Sequence, residues 1–104
     1  MVFKSSPPRS LSIRLTLDLV SLCLESARGT MDSKIALELC YDAEAALSGI
    51  KDPQRRALVA SKKEEDQTLS KGIATSYVDL GTLQGSLGCS DKAHANFKKA
   101  MQWG

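Results

Sequence analysis

The sequence predicts an all-α domain built from two antiparallel helical hairpins. Apolar residues recur at three- and four-residue spacing through most of the chain, and glycines stand where those runs stop. One segment, Leu11, Ile13, Leu15, Leu17 and Leu19, alternates as a strand would, yet Leu15, Leu19 and Leu22 also share a helical face. No second strand is available to pair with it, and a lone strand leaves its backbone donors and acceptors unsatisfied, so helix is preferred.

The first helix is expected from about Leu11 to Arg28, stopped by Gly29. A second starts after Asp32 or Ser33, either of which can cap it, and carries Ile35, Ala36, Leu39, Cys40, Ala43 and Leu47 to a stop at Gly49. The short link between them folds the pair back on itself over residues 11–50. Residues 51–67 are charged and mixed, and read as a solvated connector in which Asp52-Pro53, an N-cap and N1 pair, starts at most a short helical turn. The second hairpin fills residues 68–104. Its first helix, from about Thr68 to Leu87, presents Ile73, Tyr77, Leu80, Leu83 or Gln84, and Leu87, and stops at Gly88. Its second is capped by Ser90, with Asp91 at the positive N-terminus, an apolar stripe of Ala93, Phe97, Ala100 and Met101, and Lys98 and Lys99 near the C-terminus. Residues 1–10 read as a Ser/Pro-rich leader.

Composition narrows the function classes. With 104 residues, 42% hydrophobic and 25% charged, the chain is expected to be a single globular domain. A net charge of +2, from 14 basic and 12 acidic residues, gives no reason to expect nucleic-acid or membrane binding. Arg14 and Asp18 interrupt the longest apolar stretch, which is too short and too charged to span a bilayer. Cys23, Cys40 and Cys89 are an odd number without CxxC spacing and read as core thiols in a reduced, cytoplasmic protein. His94 is the only histidine, so no metal set is expected, and no cofactor-binding loop or catalytic motif is present. The chain is therefore expected not to be an enzyme.

In the second hairpin, Tyr77, Leu80-Gly81, Gly88, and the triad Ala93, Phe97 and Ala100 resemble the tetratricopeptide repeat, a helix-turn-helix unit of about 34 residues. The first hairpin resembles a degraded copy: Ala36, Cys40 and Ala43 keep the second-helix spacing, while Val20, Ser21 and Leu24 replace the usual first-helix residues. The segment Gly72 to Gly104 is also similar to a helical region of large fungal multidomain proteins, which implies a fragment or short paralogue. The resemblance implies a protein-protein interaction scaffold whose partner is a peptide or a helix of another protein. It places Leu15, Asp18, Leu19 and Leu22 of the first helix and Thr75, Val78, Asp79 and Thr82 of the third on a concave binding face. Asp18 and Asp79 suit an apolar or basic segment there. A structural or oligomerisation element of a larger protein is the alternative reading. Phe97 is expected to be a core anchor, and Met101 and Trp103 are expected to lie on an uncovered flank, giving a homodimer through the C-terminal hairpin or docking onto a following domain.

Overall fold

Five helices and no strands make up the described residues, 9–103 of the computed structural model. They are α1 (Arg9–Gly29), α2 (Ser33–Ser48), α3 (Asp52–Ala60), α4 (Glu64–Ser86) and α5 (Ser90–Met101). Helix α1 starts two residues earlier than its apolar stripe does, and most of the expected leader lies outside the described residues. No described helix is long and apolar enough to cross a membrane.

Capping follows the local chemistry. Asp32 ends the three-residue link after α1, and its Oδ1 accepts from the Lys34 backbone N–H at 2.9 Å, which satisfies one free donor at the start of α2. Gly88, at φ +89°, turns the chain between α4 and α5 in the left-handed region that a side chain disfavours. The Ser90 cap does not form: Cys89 holds the N-cap position, and Ser90 is the first residue of α5.

The expected connector is largely helical, which corrects the reading of residues 51–67. Asp52 is the first residue of α3 rather than its cap, and the Lys51 backbone N–H donates to Gln54 Oε1 at 3.0 Å. Leu58, the one buried residue of α3, ties it to α4. The acidic run Glu64, Glu65 and Asp66 forms the first turn of α4, where negative charge meets the positive end of the helix dipole. Its charge density comes from helix-end chemistry, and polarity alone could not distinguish that from a linker.

Side-chain pairs give the helix directions. Arg14 pairs with Glu65, Leu17 meets Gly72, and Arg28 pairs with Asp79, so α1 and α4 run the same way. Tyr41 lies under Lys92 and Glu44 meets Asn96, so α2 and α5 also run together. Between α4 and α5 the order reverses: Tyr77 with Lys99, Gln84 with Asn96, Gly85 with Ala93. The thinnest dimension is 19 Å, about two helix diameters, consistent with α1 and α4 in one layer and α2 and α5 in another. Val20, Leu24, Ala36, Cys40, Ala43, Leu47, Ile73 and Leu80 fill the space between them.

Two aromatic residues sit differently from expectation. Phe97 is 38% exposed, so it is not a buried anchor. The buried stripe of α5 is Ala93, Asn96 and Ala100, and Phe97, one residue round the helix, lies over Gly81 with its outer side open. Trp103 is 6% exposed and joins the core. After α5 ends, the Trp103 backbone N–H donates to the Ala100 carbonyl at 3.0 Å, and Trp103 belongs to the same buried cluster as Leu58, the two lining one depression with Ser70 and Ala74. Helix α3 therefore helps cover a flank that was expected to be bare.

Candidate interaction surface

Helix α4 supplies the floor of the candidate surface, because α1 covers only one of its sides. Gly72 marks that side by its contact with Leu17. Counting about 100° per residue, Thr75 and Thr82 lie about 60 to 80° round from Gly72, and Val78 about 120°. All three turn away from the buried Ile73 and Leu80, and all three are exposed. Thr75 and Val78 line an open depression of about 480 Å³ with Ala74, Phe97, Ala100 and Met101. Its walls are almost entirely apolar. A second depression of about 410 Å³ shares Ala74 and Thr75 and continues past Ser70, Lys71 and Trp103 to Leu58 and Val59 of α3. The two depressions lie on either side of the Ala74–Thr75 wall of α4, one bounded by α5 and the other reaching α3.

The expected site residues divide between two surfaces. Thr75, Val78 and Thr82 are on the exposed face of α4, and Asp18 shares that outer face because it lies on the opposite side of Leu17 from the buried Val20. Asp79 is on this face too, with its carboxylate 3.6 Å from the Arg28 guanidinium in a half-exposed pair. Leu15, Leu19 and Leu22 lie about 140 to 160° from Leu17 and point away from α4. They are 57%, 55% and 62% exposed and form a separate ridge on the far side of α1. The stripe they make is real, but helical periodicity alone does not tell which neighbour the stripe faces. Of the expected interface pair, Met101 is open to solvent at the depression and Trp103 is covered.

Beneath this surface is a polar cluster that the sequence reading missed. Asn96 is fully buried and Gln84 nearly so, and Asn96 Nδ2 donates to Gln84 Oε1 at 2.6 Å. The same nitrogen approaches Glu44 Oε2 at 3.3 Å, linking α2, α4 and α5. Asn96 Oδ1 has no partner among the described residues. The available signal was a polar residue inside the α5 apolar stripe, opposite a glutamine at a stripe position of α4.

The three thiols are free: Cys40 is buried, while Cys23 and Cys89 are partly exposed. Burial, then the neighbouring Cys89, Glu44 and Cys23, pushes the Cys40 thiol above its ordinary value. Burial, then Asp42, does the same to Cys23. Raised thiols hold their protons and are poor nucleophiles at neutral pH. The Tyr77 hydroxyl is likewise raised by burial and then by Glu44. Among the described residues, no group of three or more His, Cys, Asp and Glu side chains is placed to hold a metal ion.

No family model, no curated protein and no solved structure matches this chain.

Proposed function

We propose that the chain is a non-catalytic interaction module with tetratricopeptide-like packing, whose α4–α5 depression receives an amphipathic helix or peptide of a partner protein. The depression carries the reading: Val78, Phe97 and Met101, at 43%, 38% and 78% exposed, surround one apolar concavity instead of scattering over the surface. Helix-in-groove recognition needs such a trough, with anchors spaced along it. The side chains that line it, Ala, Thr, Val, Phe and Met, offer contact rather than chemistry.

Three features support the repeat-like packing. Helices α1 and α4 run parallel, α5 returns along α4, and Gly81 sits where α4 and α5 come closest. A methyl group on Gly81 would lie 2.8 Å from Phe97 Cε1 and 3.0 Å from the Ala93 carbonyl oxygen, so the Leu80-Gly81 and Ala93-Phe97 positions meet as they would in a repeat unit. Helix α3 interrupts the array between the two hairpins, as an insertion would.

The charges on this surface modify the partner expected from sequence. Asp79 is held by Arg28, whereas Lys71 on the groove and Lys98 beside Phe97 are exposed and make no ion pair among the described residues. The occupant is therefore apolar on one face with acidic flanks. A fluorescently labelled 18-residue amphipathic peptide with a leucine stripe and glutamate flanks tests this by anisotropy. Val78→Asp should weaken binding by about tenfold or more, a loss of about 1.4 kcal/mol. Leu22→Ser, on the other surface, should leave it unchanged. Equal binding by the parent chain and Val78→Asp would contradict the assignment.

A further inference from the structure

The leucine ridge of α1 and the α4–α5 depression occupy opposite ends of the same helical layer, since Leu15, Leu19 and Leu22 point away from α4 while Ala74 and Val78 point away from α1. One is convex and apolar, the other concave and apolar. Their charges are also opposite. On α1, Arg14 and Arg28 are engaged with Glu65 and Asp79, which leaves Asp18 and Glu25 as exposed acids beside the ridge without an ion pair among the described residues. On the other surface Lys71 lines the second depression and Lys98 is exposed one turn of α5 before Met101, and neither makes an ion pair among the described residues, while the exposed acid of that face, Glu64, stands two turns of α4 away from Lys71. The chain thus carries a ridge matching the occupant that its own groove calls for: a leucine stripe on a helix with acidic flanks.

We propose that the depression of one copy receives the α1 ridge of a second copy, so that the chain associates head to tail. This rests on the reading of the depression as a helix-docking surface. A contact between two different surfaces of a molecule is not a two-fold dimer contact: it builds a closed ring where the rotation between copies closes and an open chain where it does not. The free ridge and free depression at the ends of each open assembly remain available to further copies or to another protein of the same chemistry.

Sedimentation velocity on the full chain tests this. The wild type should grow beyond a dimer as concentration rises to the millimolar range, and salt raised to about 1 M should shift it towards monomer by screening the Asp18 and Glu25 to Lys71 and Lys98 attraction. Leu19→Glu, which removes the ridge, and Val78→Glu, which removes the depression, should each be monomeric with unchanged helical circular dichroism. Mixed in equal amounts they should form a dimer and nothing larger, because one intact ridge then meets one intact depression. The proposal is overturned if the wild type stays monomeric, if Leu19→Glu still associates as wild type does, or if the mixture remains monomeric. A monomeric wild type that still binds the acidic amphipathic peptide would overturn self-association alone, whereas loss of both would remove the docking surface with it.

Discussion

Asn96 and Phe97 are adjacent, yet the smaller and more polar of the two occupies the buried position. Phe97 drew attention in the sequence as the aromatic member of a motif, but its neighbour shares a helix face with Ala93 and Ala100 and takes the inside place. Truncating Asn96 to Ala leaves the buried Gln84 amide without its partner, and should lower stability by about 1 to 3 kcal/mol. Phe97→Ala should fall below the about 3 to 5 kcal/mol of a fully buried phenylalanine, because its outer side already faces solvent. Denaturant midpoints of the two variants check both values. Cys40, Cys23 and Tyr77 add a pH dependence. Their protons are held more tightly in the folded chain than in the unfolded one, so stability is fully present below the ordinary values of 9.0 for Cys and 10.0 for Tyr, and falls as pH rises through and above them. Urea midpoints should drop between about pH 8 and about pH 10.5, and Cys40→Ala with Tyr77→Phe should flatten that drop. The sequence placed the thiols in the core and Tyr77 on an apolar helix face, but not the acids Glu44 and Asp42 that raise them further, because those neighbours depend on which helices meet there.

At the scale of elements, apolar periodicity located α1, α2, α4 and α5, and Asp32 and Gly88 punctuate them as their chemistry requires. It failed for α3, which is short and buries a single leucine, Leu58. One buried residue makes no stripe, so only Asp52-Pro53, the first two residues of the helix, announced its start. Among the glycines of α4, the resemblance singled out Gly81. Gly81 has no room for a methyl group against Phe97 and the Ala93 carbonyl, whereas a methyl on Gly85 would meet Ala93 Cβ at an ordinary 3.8 Å. Gly85→Ala should therefore raise stability by about 0.5 to 1 kcal/mol through helix propensity. Gly81→Val should lower it by about 1 to 3 kcal/mol through overpacking at the crossing. Thermal denaturation of the pair separates a close helix contact at Gly81 from a merely tolerated glycine. Helix α3 also explains why the C-terminal flank is less bare than its sequence suggests, since Leu58 and Trp103 line the same depression. Leu58→Ala should cost about 2 to 5 kcal/mol and shift Trp103 emission to the red as the indole gains water.

The whole molecule is a slab of 46 × 31 × 19 Å with an apolar ridge at one end and an apolar depression at the other. The sequence showed the apolar residues on both but joined them into one concave face, because a helical stripe says nothing of which way it is turned. Packing separates them: Leu17 against Gly72 fixes the rotation of α1, and the leucine ridge follows on its far side. What remains on the α4–α5 face is a trough with lysines at its margin. The most direct measurement is the map of backbone amide shifts in the monomeric Leu19→Glu chain as the acidic amphipathic peptide is added. The changes should concentrate at Ala74, Thr75, Val78, Phe97 and Met101, with little change along Leu15 to Leu22. Shifts confined to the α1 ridge, or spread evenly over the surface, would contradict the docking role of the depression.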